Sequence, residues 1–287
     1  MQEKMIPAPL PDMSCEAGEQ RYLLLDGSQI PDLETLLFKI EGAPVYAPVF
    51  LNSPWQELRE VSPCVVKATG ALMQWFETDV YLNQGYVFSS RADLETVTNT
   101  FRALIQVQSP YGSQVFFKMA HAEAAHILFS DENPQIWQAI EQAWLPTRKG
   151  WVHHTKPTQT GPVTPTSILL TDEQWEKLGQ IGWYHTLEKI EHHLVHWFSD
   201  KLPAVSLEWI KQEAKTAYDA GFATERDLLL YFSVFGFLGV NVLDSRQYPD
   251  IQALINHPST LTPSQRIEQA ATLAEQYAHH PIQEQEL

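Results

Sequence analysis

The chain has 287 residues, a length at which two domains or two lobes are expected. Hydrophobic residues make up 44% of it and charged residues 19%, which is enough apolar material for a core and excludes wholesale disorder. The formal net charge of −16 argues against binding to nucleic acid or anionic lipid, and the 2 cysteines exclude a disulfide framework and a cysteine-rich zinc site.

The first segment, residues 1–20, is polar and contains three prolines, so we expect a flexible N-terminal arm. It has no cationic stretch followed by an apolar run, so no secretory signal is expected. Together with the two unpaired cysteines, which suit a reducing compartment, this predicts a cytoplasmic protein.

From Tyr22 onward, short apolar runs that indicate strands alternate with amphipathic segments that indicate helices. The predicted strands are 22–26, 45–51, 64–68, 85–89, 115–119 and 150–154. The predicted helices are 31–40, a short one that begins at Ser53-Pro54, 71–78, 92–106 with Ser90 as its cap, 121–129 and 134–144. This alternation predicts an α/β lobe over residues 21–154, with a mixed, mainly parallel sheet flanked by helices.

The composition changes after Glu141, because residues 142–171 contain neither Asp nor Glu. One interpretation is a last strand that runs into a Pro/Thr-rich linker at 155–170. The other is a partner-binding surface, since Trp, Arg and His are enriched at interfaces. Three basic residues are too few for nucleic-acid binding. The predicted partner-binding residues are Arg148, Lys149, Trp151, His153 and Lys156.

Residues 171–287 are predicted to form an all-α C-terminal lobe. Thr171 and Gln174 form a capping box that begins a long helix, and Ser206 and Thr224 begin two more. Further helices are predicted at 248–256 and from residue 263. The uncharged run at 228–243 is shorter than the roughly 20 residues of a spanning helix. We therefore expect a buried helix and its terminal turn, with no membrane insertion; interfacial insertion is the alternative.

The long helix carries the sharpest candidate metal site. Glu188, His192 and His196 share one face, and histidines spaced i, i+4 can clamp a divalent metal. A zinc protease of the HExxH type needs Glu directly after the first His, where this chain has His193. The face is therefore either the solvated side of the helix or part of a metal-dependent hydrolase. The predicted inward residues of this helix are Leu187, Ile190, Leu194 and Trp197.

Other sequence features give no enzymatic motif. Asp26-Gly27-Ser28 follows the first strand, where α/β enzymes often place chemistry, but a tight turn explains the same residues. Gly236 and Gly239 are typical of a helix end rather than a phosphate loop. No GxGxxG, P-loop or GxSxG motif occurs. We therefore expect no catalytic residues and no cofactor.

Four stretches in order resemble a known family: RYLLLDGSQIPDLETLL, SPWQELREVSPCVVKAT, GYVFSSRADLETVTNTFRALIQV and GSQVFFKM. They are similar to the effector-chaperone, or adaptor, family of bacterial type VI secretion, long catalogued as domain of unknown function 4123. The resemblance covers residues 21–151, and FATERDLLLYFSVFG and PSQRIEQ look like the family's C-terminal lobe. One departure is the turn at His121-Ala122-Glu123, where members often carry Asp-Pro-Arg.

The resemblance implies an adaptor rather than an enzyme. Such a protein binds a toxic effector in the cytosol of the producing cell and helps load it onto a VgrG-type spike. An apolar groove or a sheet edge is the physical means by which an adaptor shields a client segment. We expect this surface near residues 151–156 and the exposed side of the long helix.

Overall fold

The computed structural model describes residues 6–131, 134–158, 168–202 and 205–279. The chain forms two compact units that divide between Ile181 and Gly182, inside a long helix. The sequence predicted a helical lobe that begins at residue 171. In the structure, the first turns of the long helix, Asp172–Phe198, belong to the first unit instead. Most of the predicted linker, residues 159–167, lies outside the described residues.

The first unit is built around strands. Its strands are β1 (Gln20–Leu25), β2 (Tyr46–Pro48), β3 (Cys64–Lys67), β4 (Gly85–Ser90), β5 (Gln106–Gln108), β6 (Gln114–Phe116), β7 (Gln142–Thr147) and β8 (Gly150–Thr155). Six of these form one sheet in the order β2-β3-β1-β4-β7-β8, and β5 pairs with β6 in a small hairpin.

All neighbouring strands of the six-stranded sheet are antiparallel, so the prediction of a mainly parallel sheet is wrong. The alternation of strands and helices was observed correctly, but it does not determine strand direction. A parallel pair needs a crossover that returns the chain to the same end of the sheet. Here the strands joined by a crossover, β1 with β2 and β3 with β4, do run in the same direction, but an antiparallel strand lies between the two members of each pair. Strands covered on both faces show continuous apolar runs in either arrangement.

Helices cover both faces of this sheet. They are α1 (Leu33–Glu41), a 3₁₀ helix (Gln56–Val61), α2 (Gly70–Asp79), α3 (Leu94–Arg102) and α4 (Ala122–Phe129). Side chains of β1 alternate between the faces: Leu23 and Leu25 pack with α1 and α2, and Tyr22 and Leu24 pack with α3 and α4. This double burial explains the uninterrupted YLLL run.

The described part of the predicted N-terminal arm packs on the sheet. Ile6 and Met13 are buried in the cluster that contains α1 and α2, and the backbone N–H of Ile6 donates to the carbonyl of Val80 at 3.3 Å. Residues 6–19 therefore contribute to the core of the first unit.

Several local predictions in the first unit are wrong. Residues 134–144 are turns followed by the start of β7, although their apolar spacing suggested a helix. Ser90 does not cap α3, because the side chain of Asp93 accepts from the N–H of Thr96 at 2.9 Å and the helix begins after it. Ser53 does not cap the 3₁₀ helix, which begins three residues later, at Gln56. Strand β5 occupies the end of the predicted helix 92–106.

The helical part contains α5 (Asp172–Phe198), α6 (Leu207–Asp219), α7 (Glu225–Leu238), α8 (Pro249–Asn256) and α9 (Pro263–His279). The predicted caps at Thr171, Ser206 and Thr224 are confirmed by side-chain hydrogen bonds. The apolar run 228–243 forms most of α7 and the turn at Gly239, which has a φ of 91°. Within the described ranges, no helix is both long and apolar enough to cross a bilayer.

The inner face of α5 differs from the prediction at one residue. Leu187, Ile190 and Leu194 are buried, but Phe198 takes the next position and Trp197 is 68% exposed. The ring of Phe198 lies against Gly236 of α7, where a Cβ atom would overlap it. Gly236 thus permits close packing of Phe198, whereas only Gly239 ends the helix.

Candidate partner-binding site

Strand β8 forms one edge of the six-stranded sheet, and only β7 pairs with it among the described residues. The N–H of Lys156 donates to the carbonyl of Glu141 at 2.8 Å, which sets the hydrogen-bonding alternation along this pair. By that alternation, the backbone groups of Trp151, His153 and Thr155 point away from β7. An edge of this kind is a template for an added strand.

The opposite edge of the sheet is protected. Strand β2 has three residues and ends in Pro48, which has no N–H to donate. The guanidinium of Arg102 donates to the carbonyls of Pro48, at 3.1 Å, and Val49, at 3.3 Å. The two edges therefore differ: β8 presents the backbone groups of three residues outward, whereas β2 is shorter and the carbonyl of its last residue already accepts from Arg102.

The predicted basic residues are largely neutralised within the fold. Arg148 forms an ion pair with Glu123 at 3.0 Å, and Lys156 forms one with Glu141 at 3.1 Å. Lys149 is exposed in the hairpin turn between β7 and β8. Charge complementarity with a partner is thus a weaker basis for the predicted surface than its backbone edge.

The two predicted aromatic residues are held in place on one face of β8. The indole N–H of Trp151 donates to the carbonyl of Pro7 at 2.6 Å. The ring of His153 is exposed and stacks on the buried ring of Trp144, with 5.0 Å between centroids and an interplanar angle of 3°. These contacts fix the side chains, so this part of the edge is preorganised for binding.

A histidine pair lies on the opposite face of β8. Nδ1 of His126, on α4, and Nε2 of His154 are 2.8 Å apart, so one of them donates to the other. Burial, followed by the nearby charge of His126, lowers the pKa of His154 from 6.5 to about 4. Burial also lowers the pKa of His126, with a contribution from Lys177. The sequence did not signal this pair, because only the fold brings α4 to β8.

Acidification is expected to destabilise the first unit through this pair. The unfolded chain protonates these histidines below about pH 6.5, whereas the folded His154 stays neutral until the pH approaches 4. The stabilisation is therefore present above pH 6.5 and lost as the pH falls to about 4. We expect a loss of about 1–2 kcal/mol, measured by urea unfolding at several pH values. His154→Gln should flatten this dependence, and His153→Gln, at an exposed position, should retain it. An unchanged slope in His154→Gln would contradict the assignment.

The α5 face that carries Glu188, His192 and His196 was the candidate metal site. His192 and His196 are exposed, and their rings stack with centroids 5.8 Å apart. Nδ1 of His185 lies 3.8 Å from a carboxylate oxygen of Glu188. In the parts of the chain that the structure describes, no three His, Cys, Asp or Glu side chains are grouped to hold a metal ion. The hydrolase alternative rests on sequence spacing alone.

Asp26-Gly27-Ser28 forms a tight turn after β1. Oδ1 of Asp26 accepts from the N–H of Ser28 at 2.9 Å and from its hydroxyl at 2.7 Å. Burial raises the pKa of the Asp26 carboxyl, and Ser28 partly offsets this. The contacts of this carboxylate within the turn account for the motif structurally.

The sequence predicted a last strand that ends at residue 154, whereas β8 ends at Thr155. Thr155 was therefore not among the predicted partner-binding residues. The alternation of Trp151, His153 and Thr155 was the available signal, because every second residue of an edge strand presents its backbone outward.

Comparison with known proteins gives one family and one curated relative. A family model described as "Domain of unknown function (DUF4123)" matches residues 21–139. The chain is 43% identical over 276 residues to the accessory protein VasW of Vibrio cholerae serotype O1, an alignment that covers 94% of this chain and 92% of that protein. No solved structure matches the chain significantly.

Proposed function

The chain belongs to the DUF4123 family, the type VI secretion adaptor family that its motifs resemble, and from this membership we propose that it is an effector adaptor. It acts in the cytoplasm, binds a toxic effector protein there and helps load it onto a VgrG-type spike. It works by binding, without catalysis. VasW is an accessory protein, which supports this assignment because the two chains align along nearly their full lengths.

The open edge of β8 is the structural observation that carries the proposal. Its backbone groups at Trp151, His153 and Thr155 have no strand partner within the described chain. An extended segment of the effector adds to this edge as a seventh strand, and the fixed rings of Trp151 and His153 contact its side chains. Backbone pairing gives affinity for many sequences, which suits a client held in an extended state.

Substitutions at His153 test this function. His153→Pro removes one outward N–H from β8 but no hydrogen bond to β7, so the sheet is expected to persist. The tagged protein is expressed in its own cells at native levels, and co-purifying proteins are identified by mass spectrometry. We expect the unsubstituted chain to capture a type VI effector and a VgrG-type spike protein. The amount of effector captured by His153→Pro should be at least about ten-fold lower.

His153→Val is the matched control. It also loses the imidazole stacked on Trp144 but keeps the N–H, so effector capture should persist. Equal loss in both variants would place recognition in the imidazole and not in the strand edge. Absence of both effector and spike protein, in cells with an active secretion system, would overturn the proposed function.

A further inference from the structure

Residues 6–14, the arm segment, cover part of the sheet face on which α1 and α2 also pack. Ile6 and Met13 are buried there in one cluster with Trp144 of β7, and Trp151 of β8 packs against the same cluster. The pairing of β7 with β8 places both tryptophans on one side of the sheet, on neighbouring strands. The arm segment therefore lies on a surface to which two tryptophans contribute.

The sheet holds the arm segment by main-chain carbonyls. Nε1 of Trp151 donates to the carbonyl of Pro7 at 2.6 Å. Nη2 of Arg21, on β1, donates to the carbonyl of Met13, also at 2.6 Å. Prolines at positions 7, 9 and 11 have no N–H groups, so the segment is unsuited to pairing as a strand. An aromatic surface that holds an extended, proline-rich segment is typical of sites that recognise proline-rich peptides.

Two buried donors on this face have no acceptor among the described residues. They are Nε1 of Trp144, a residue that is 1% exposed, and Nε of Arg21. Buried polar groups of native proteins are nearly always paired, so an unpaired one needs an explanation. The arm segment pairs the indole of Trp151 and one nitrogen of Arg21 and leaves two N–H groups without a partner. It thus satisfies the donors of this surface only in part.

An occupant with carbonyls at other positions would pair these donors. A second copy of this chain would not, because its arm segment has the same sequence and would leave the same donors unpaired. A proline-containing segment of another protein is already extended and loses little conformational entropy on binding. We propose that this surface binds an extended, proline-containing segment of a partner protein, and that the arm segment is an intramolecular ligand which that segment displaces.

This site is separate from the open edge of β8. Binding at the edge uses backbone groups of the strand, whereas the donors here are side chains on the face of the sheet. The proposal therefore needs neither an effector nor a spike protein. His153→Pro, which removes an outward N–H of the edge, should leave binding at this surface unchanged.

A fluorescein-labelled peptide of residues 6–14, IPAPLPDMS, tests the displacement by fluorescence polarisation with the full chain. In the unsubstituted chain the tethered arm segment competes at high effective concentration. Ile6→Asp/Met13→Asp places charges at its two buried positions and weakens this competitor. The variant should therefore bind the peptide at least about ten-fold more tightly than the unsubstituted chain. Ala8→Asp/Ala17→Asp, with the same charge change at exposed positions, should not.

A cut chain gives the same test without a substitution in the core. A protease site inserted between Ala17 and Gly18, in an exposed turn, allows the folded chain to be cleaved. The labelled peptide should then bind as the freed arm segment leaves. A polarisation that is no higher for the cut chain or for Ile6→Asp/Met13→Asp than for the unsubstituted chain would overturn the proposal.

The two tryptophans separate the arm segment from a partner segment. Trp151→Phe loses a donor that the arm segment uses and should weaken binding of the labelled peptide about five-fold. Trp144→Phe loses a donor that the arm segment leaves unpaired, so this peptide should bind equally well. Random nine-residue peptides displayed on phage are then selected against Ile6→Asp/Met13→Asp. We expect the selected peptides to contain proline and to lose affinity in both tryptophan variants.

Two results would contradict the assignment to a partner protein. Selected peptides that lack proline, or that respond to Trp151→Phe alone, would show that the unpaired donors take no part in recognition. A dimer of the unsubstituted chain that the labelled peptide dissociates would assign the surface to a second copy of this chain.

Discussion

Replacing Arg266 with methionine is expected to destabilise the second unit by about 3–5 kcal/mol. Arg266 is 7% exposed and lies on α9. Its guanidinium donates to the carbonyls of Leu254 and His257 at 3.0 Å each and of Ala220 at 3.4 Å. It also stacks over the ring of Phe222, 5.1 Å from the centroid. These carbonyls belong to the C-terminal ends of α6 and α8, which have no helical donors of their own.

Methionine fills a similar volume but leaves these carbonyls without donors in a buried position, so the loss is dominated by unpaired backbone groups. Urea unfolding, with hydrogen exchange of peptides from α8 and α9, measures the effect. Arg226→Met is the control, because Arg226 has a 61% exposed side chain and pairs with Glu268 at the surface. It should cost less than about 1 kcal/mol. Equal effects of the two substitutions would refute the role assigned to Arg266.

Gly27→Ala is expected to destabilise the first unit by about 2–3 kcal/mol. A Cβ atom at this position would overlap the carbonyl oxygen of Ser62 and lie 3.0 Å from the carbonyl carbon of Val61. Both are backbone atoms, so no side-chain rotation relieves the contact. The turn cannot shift easily either, because Asp26 holds Ser28 by two hydrogen bonds.

Gly179→Ala is the matched control for this substitution. Gly179 lies within α5, and nothing is within 4 Å of the position that its Cβ would take. Alanine there should stabilise the helix by up to about 1 kcal/mol. The melting temperature of the first unit should therefore fall for Gly27→Ala and not for Gly179→Ala. A neutral Gly27→Ala would show that the close approach to Ser62 is not maintained in solution.

Local sequence signals predicted most helices and strands. The elements that were predicted wrongly depend on contacts between residues far apart in the chain. The runs at β1, β3, β4 and β8 were recognised because buried strands concentrate apolar residues, and Thr171 and Ser206 marked true helix starts. Whether neighbouring strands are parallel or antiparallel depends on the order of the strands in the sheet, and no residue in a strand encodes that order. Likewise, Ile136 and Ile140 are four residues apart, as on one face of a helix, yet both are buried from non-helical backbone.

The acid-free stretch predicted a partner-binding surface at the β7–β8 hairpin, and this position stays a prediction. Its basic residues suggested an electrostatic surface, but Glu123 and Glu141 are brought to Arg148 and Lys156 by the fold. Glu123 precedes Arg148 by 25 residues, so spacing along the chain does not reveal the pair. What distinguishes the hairpin is its place at the end of the sheet, which is a property of topology.

The contrast between the two edges of the six-stranded sheet has a consequence for stoichiometry. The edge at β2 is a poorer docking position for an added strand than the edge at β8, because β2 is short, ends in Pro48 and has the carbonyl of Pro48 occupied by Arg102. Two copies of the chain that paired through their β8 strands would cover both of these edges and form a dimer. The architecture thus favours one bound segment per chain over a ladder of strands that extends from chain to chain.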